Sequence, residues 1–332
     1  MYKSSHYSLN DATLNKFIER FVPDRGVYYF DDDQIFCSLL KRGITVYSPQ
    51  ELLRSFPTFS LDYGSIYHIW DLSLSDTAFV SRLNLEEFTT LNPVLQRTLL
   101  EYQVKCGRGH VYDEHWFSDF EQPNSNVVTV DSNRYYLLTL EDWQQFSVED
   151  RKRWIIKWLK NWDENTRVET ILDEHVEVSE RVPYNLVKKY AGTYAEQSGP
   201  NCFAAAIAMV VGGEQCHTLI SQWLHQEPFF RLLEAHVYSK VTMLHEMDFS
   251  LVEPADVLVW ITENHVAGHA AYAVTGDLVF QKHGQGWESP WQILMINDVW
   301  YNEYLDAGGS ISIYRRNIGM MHENTETDAQ RC

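Results

Sequence analysis

The chain has 332 residues, 45% of them hydrophobic, and a formal charge of −19 spread over short acidic clusters. That length buries one large core or two moderate ones, and a single short basic run, Arg151-Lys152-Arg153, argues against a nucleic-acid partner. Five cysteines (Cys37, Cys106, Cys202, Cys216 and Cys332) form no CxxC pair and leave one over, which fits a reducing compartment. Met1 to Asn10 lacks the apolar core of a signal peptide, and no run approaches the ~18 apolar residues of a membrane span, so the expected setting is cytoplasmic and off the membrane.

Two domains are expected: a mixed α/β N-terminal domain of unknown role over 1–165, a linker over 166–182, and a second domain over 183–332. Leu14, Phe17, Ile18 and Phe21 have helical spacing from Asp11 to Phe21, and Val27 to Phe30 reads as extended. Asp31-Asp32-Asp33 lacks the glycine and terminal glutamate of a calcium loop and reads as a solvated turn. His110, Asp113, Glu114 and His115 read as surface groups, and Cys106-Gly107-Arg108-Gly109-His110 has no partner pair for a zinc site. Ser147 to Asp150, followed by Trp154, Ile155, Trp158 and Leu159, predicts a capped amphipathic helix whose tryptophans belong to a core. The hydrophilic run Asp163 to Arg181 is read as the interdomain connection, with an edge strand as the other reading.

From Pro183 the pattern changes. Tyr184 to Tyr190 predicts a helix, and a second helix carries Phe203, Ala206, Ile207 and Val210 and ends at Gly212-Gly213. A further helical region is expected from Leu219 to about Val237. Extended runs follow at Val257 to Ile261, His269 to Val274, Leu278 to Gln281 and Ile311 to Tyr314, with Thr275-Gly276-Asp277 as a hairpin turn.

Gly199-Pro200-Asn201-Cys202 delivers a thiol to the first turn of an apolar helix, where unpaired N–H groups and the helix dipole stabilise a thiolate. Cys202 is therefore the candidate nucleophile, and packing inside a core is the alternative. A cysteine hydrolase also needs an imidazole and a polar group that orients it. His269 is the candidate general base and acid. Period-two alternation puts Val279, Gln281 and His283 on one face, with Gln281 the first choice and His283 the second for orienting His269. The backbone N–H of Cys202 is a candidate oxyanion donor. Trp287 and Trp291 are placed as walls of the cleft. His265 and His269 have the spacing of two zinc ligands on a helix, but Gly268 and the alternation after His269 favour loop then strand.

The order Tyr190-x-Gly192, Cys202, Pro254-Ala255-Asp256-Val257-Leu258-Val259-Trp260, His269-Ala270-Ala271-Tyr272-Ala273-Val274-x-Gly276 and Gln281 resembles the NlpC/P60 superfamily of papain-like cysteine peptidases. The separations Tyr190 to Cys202 and His269 to Gln281, twelve residues each, fit that layout. The resemblance covers roughly residues 184 to 315. It implies an α+β, papain-like domain with a helix-borne Cys202 packed on an antiparallel sheet. Tyr190 and Gln197 would help bind the substrate or its oxyanion, beside Asn201. The activity implied is that of a thiol hydrolase or acyltransferase on an amide, peptide or thioester, through an S-acyl-Cys202 intermediate, with no cofactor and no metal. The chain has Asn201-Cys202-Phe203 where the family has Asp-Cys-Ser, and Gln281 where histidine is common, which points away from a cell-wall peptide. The alternative is a catalytically silent scaffold whose N-terminal domain engages a protein partner.

Overall fold

The protein is described by a computed structural model at residues 2–3, 8–48, 51, 79–106, 109–120, 127–166, 177–299, 305 and 308–317. It is a mixed α+β structure in which every strand pair is antiparallel. By contacts it divides into two units: Asn10–Asn161 with Glu196–Ser198, and Met1–Leu9 with Trp162–Ala195 and Gly199–Cys332. A short ribbon of β1 (Tyr2–Lys3) and β2 (Ser8–Leu9) opens the chain.

In the N-terminal unit the first helix, Asp11–Arg20, starts because Asn10 Oδ1 accepts the Thr13 N–H at 2.8 Å. It buries Leu14, Phe17 and Ile18. Strand β3 (Gly26–Phe30) pairs with β5 (Phe79–Leu83), which also carries β4 (Val46–Tyr47). Asp32 belongs to a helix start rather than a free turn, since its carboxylate accepts from Gln34 and Ile35 N–H at the head of Asp33–Lys41. Gln103, on the helix Pro93–Cys106, braces the open edge of β3. Its amide accepts from Tyr29 N and donates to Tyr29 O and Leu99 O, so a fully buried polar side chain is satisfied.

A second sheet joins β6 (Val111–Asp113), β8 (Asn133–Leu137) and β7 (Val127–Val130). The Ser147 hydroxyl accepts the Asp150 N–H at 3.0 Å and so caps the helix Val148–Thr166. This helix buries Trp154, Ile155 and Leu159, so the tryptophan stripe is core as expected. Residues 163–166 of the expected connection form its last turn; 167–176 lie outside the described residues.

The C-terminal unit is a six-stranded sheet in the order β13-β12-β11-β10-β14-β9. Its strands are β9 (Tyr238–Leu244), β10 (Val257–Ile261), β11 (Ala267–Ala273), β12 (Leu278–Lys282), β13 (Trp291–Met295) and β14 (Ser310–Arg316). The hairpin turn is where the sequence puts it: Val274 N–H donates to Leu278 O at 2.8 Å across Thr275-Gly276-Asp277. Strands β9 and β13 are not anticipated. Most of β9 is solvated and polar, as an edge strand is. The helical region expected over 219–237 is two helices, Gln215–Leu219 and Gln226–Ala235.

Both faces of the sheet are buried. Val257, Val259, Ala270, Tyr272 and Phe280 face the helix Cys202–Val211 in one core. Leu258, Trp260, Ala271, Ala273 and Val279 form a second core on the other face. The cysteine helix buries every residue from Cys202 to Val210, and an all-round apolar helix is one enclosed on all sides. The sheet lies on one side and Gln215–Leu219 and Gln226–Ala235 on others. Gly212, at φ 65°, ends it in a backbone region that glycine enters without strain.

Candidate active site

Asn201 is the N-cap of the cysteine helix. Its Oδ1 accepts the Ala204 N–H at 3.0 Å, and its Nδ2 donates to Leu224 O at 2.7 Å. The side chain is thus committed to a cap and a loop anchor, which corrects its placement among substrate-binding groups. Asn201→Ala loses both and is expected to cost about 1 to 2 kcal/mol, read from the denaturant midpoint of the C-terminal unit.

Cys202 is the first residue of the helix and 7% exposed. Burial pushes its thiol up to about 11, opposed by hydrogen bonding from the backbone of Ala270, Phe203 and Cys202 itself and by the charge of Lys282. The thiol therefore lies against β11 and toward Lys282 on β12.

Lys282 is fully buried, with its ammonium donating to Gly286 O at 2.7 Å and Gly284 O at 3.3 Å. Burial pushes it down to about 7, against the charges of Glu288 and Cys202. Glu288 is 5% exposed, and burial pushes its carboxyl up against the pull of Lys282. Its Oε2 has no hydrogen-bond partner among the described residues. A Cβ at Gly286 would collide with this carboxylate, so only glycine allows the approach. Gly199 N–H donates to Gln285 O at 2.8 Å, which ties the 283–290 loop beside the start of the cysteine helix.

His269 lies elsewhere. It pairs across the ladder with Trp260, their rings 5.3 Å apart, and directly opposed residues share a face. Trp260 belongs to the core on the face away from the cysteine helix. His269 and Cys202 are thus on opposite faces of the sheet, and the expected imidazole–thiol hydrogen bond is not made. Strand β11 begins earlier than expected, and its register shifts at Trp260/Ile261, opposite Gly268.

The structure does bring His269 and Gln281 together. Burial holds the imidazole well below its usual range, as does the charge of His283, while the nearby Gln281 side-chain oxygen, an acceptor for a ring N–H, opposes them. Gln281 Nε2 also donates to Gln292 Oε1 at 2.8 Å, directly across β12 and β13. His283 is pushed down to about 4 by burial and by Lys282.

Tyr190 bonds through its hydroxyl to His217 Nδ1 and packs on Trp291 at 5.5 Å. Burial and then the charge of Cys216 push its hydroxyl up to about 12, so it stands beside Cys216 rather than Cys202. Gln197 is half-buried in Glu196–Ser198, which groups with the N-terminal unit. Trp287 and Trp291, at 2% and 4% exposure, fill the interior instead of walling an open cleft. His265 sits in a turn at φ 60°, so it shares no helical face with His269. Asp113 caps a 3-10 turn through Trp116 N–H. Among the described residues no three His, Cys, Asp or Glu side chains gather as metal ligands.

Lys282 and Glu288 are site residues that motif and spacing do not reveal. A lysine ending Leu278-Val279-Phe280-Gln281 on the parity of Phe280 was the available signal. Comparison of the chain with family models, curated proteins and solved structures finds no match. Fold and site together define an α+β protein with antiparallel sheets and a buried thiol, amine and carboxyl cluster.

Proposed function

We propose that the C-terminal unit is a thiol hydrolase or acyltransferase of papain-like type acting on an amide, peptide or thioester, with Cys202 as nucleophile and Lys282 in the role expected of His269. The observation that carries it is a fully buried amine, pushed down to about 7, set toward a thiol on the first turn of a helix.

A neutral Lys282 amine takes the proton from Sγ as the sulfur attacks the carbonyl carbon and a C–S bond forms. The N–H groups of Cys202 and Phe203, left uncapped because Asn201 takes Ala204, stabilise the developing negative charge. The Lys282 ammonium then protonates the leaving nitrogen or sulfur as its bond to the carbonyl carbon breaks. Water or an acceptor amine attacks the thioester, gives its proton to Lys282, and releases the acyl product; the proton returns to Sγ. Substrate entry requires the 283–290 loop to move, since Cys202 is 7% exposed. His269, Gln281 and Gln292 act as positioning residues that hold β11, β12 and β13 in register and so fix the face on which Lys282 emerges.

The test is the pH profile of iodoacetamide labelling at Cys202, resolved from Cys216 by peptide mass. Above about 7 Lys282 is neutral and can accept the thiol proton, so the labelling rate should rise through that value. In Lys282→Met the rise should move up toward the thiol's own range near 11. Identical profiles in parent and variant, or equal slow labelling of Cys202 and Cys216, would instead support the silent scaffold.

A further inference from the structure

A cavity of about 270 Å³ opens in the C-terminal unit away from the thiol, lined by Arg181, Met209, Ala255, Tyr272, Arg316 and Asn317 among others. Met209 is seven residues beyond Cys202 on the same helix, about 11 Å along its axis at ~1.5 Å per residue. The cavity is therefore separate from the thiol site, and its chemistry is independent of the role given to Cys202.

Its polar chemistry is one-sided. The lining carries Arg181, Arg315 and Arg316 against the single carboxylate of Asp256, in a chain of net charge −19. Arg315 is consumed: its guanidinium spans both Asp256 oxygens at 2.8 Å and also reaches Glu253 and Leu251 O. Arg181 makes one longer contact, 3.3 Å to Glu253. The Arg316 guanidinium makes no ion pair or hydrogen bond among the described residues.

Tyr272 is 1% exposed, yet its hydroxyl has no hydrogen-bond partner among the described residues. That hydroxyl oxygen is not sealed in the core but opens onto the cavity, where a ligand atom could accept its hydrogen bond. Ala255 in the wall is held at φ 75°, a strained conformation for a residue with a Cβ. Two hydrogen bonds hold it there, Tyr238 Oη to Ala255 O and Ala255 N–H to Ala273 O, both 2.9 Å. The wall is shaped at a cost, as binding sites are.

We propose that this cavity binds a small ligand with a flat apolar body and one oxyanion group, a carboxylate or a phosphate ester. The oxyanion is held by Arg316 and Arg181 and accepts a hydrogen bond from the Tyr272 hydroxyl, with Asn317, whose Nδ2 also donates to Ser239 Oγ, at the rim, while the body lies on Met209, Val210 and Pro254. The volume suits that size, since a cavity of ~150 Å³ already admits benzene and the remainder takes one oxyanion. The charge at the end of the cysteine helix does not reverse the preference, because about half an electronic charge there is outweighed by the unpaired Arg316 guanidinium, with Arg181 only loosely held by Glu253.

Isothermal titration of the full chain with phenyl phosphate, benzoate, inorganic phosphate and benzyl alcohol tests this. At least one aryl anion should bind saturably in the range of about 10 µM to 1 mM, with the better of the two naming the oxyanion. Inorganic phosphate and benzyl alcohol, each offering half of the recognition, should bind at least about tenfold more weakly. Arg316→Gln and Tyr272→Phe should each weaken the aryl anion by about tenfold, with Arg231→Gln as an unaffected surface control. Arg316 is exposed and Tyr272→Phe keeps the ring, so both variants retain the fold. No saturable binding of either aryl anion, equal binding of inorganic phosphate, or indifference to both variants would overturn the proposal.

Discussion

Lys282→Ala is expected to destabilise the C-terminal unit by about 3 to 5 kcal/mol, because it leaves the Glu288 carboxyl buried with its opposing charge removed. For a unit of this size the loss lowers Tm by about 10 °C. The double variant Lys282→Met with Glu288→Gln removes both charges and keeps the volume, so it should recover most of the loss; measured beside the singles Lys282→Met and Glu288→Gln, the departure from additivity is the coupling of the pair. The pH dependence has a definite sign. With Lys282 gone, burial keeps the Glu288 carboxyl raised, so the folded state holds a proton that the unfolded state releases in the ordinary carboxylate range. The stability contributed by that proton in the single variant is fully present below about pH 4 and is lost as pH rises from the ordinary glutamate range through the raised value, whereas the double variant lacks this slope. Urea midpoints at acid and neutral pH decide it. A single variant as stable as its parent at neutral pH would mean that the pair is not coupled as placed.

On the proposed mechanism Cys202→Ala is expected to lower turnover by at least about a thousandfold, since only the thiol can form the S-acyl intermediate. Its stability cost should stay near 1 kcal/mol, because a small buried thiol is exchanged for a methyl group. Intact-mass measurement after incubation with cell extract should show an acyl adduct on the parent and none on the variant, and the added mass reports the acyl group. An adduct that persists in Cys202→Ala removes the proposed nucleophile.

Much of the scaffold was legible along the chain. Helical spacing placed Asp11–Arg20, the cap at Ser147 placed the start of Val148–Thr166 though not its end, Tyr184–Tyr190 was anticipated without a cap, and Gly212 marked the end of the cysteine helix. These features are local: a cap acts within three or four residues, and periodicity is set by the element itself. Strands β9 and β13 were not legible, since β9 mixes exposed Ser239, Lys240, Val241 and Met243 without a period-two pattern and the short run Trp291–Met295 carries none either.

Within the candidate site, the sequence by itself determined that Cys202 opens an apolar helix and that a hairpin brings the strand of His269 beside that of Gln281 and His283, leaving open which of the two meets the imidazole. Both follow from short-range geometry, the cap at Asn201 and the turn at Thr275-Gly276-Asp277. Only the tertiary structure decided which face of the sheet meets the thiol. In β11 the residues Ala270 and Tyr272 alternate with Ala271 and Ala273, and all four are buried, so alternation names two faces without saying which one the helix covers. A one-residue change in parity exchanges His269 and Gln281 for Ala270 and Lys282. The long-range packing of the Cys202–Val211 helix against Val257, Val259 and Phe280 made that choice, and with it put Lys282 rather than His269 on the face of the sheet that meets the cysteine helix.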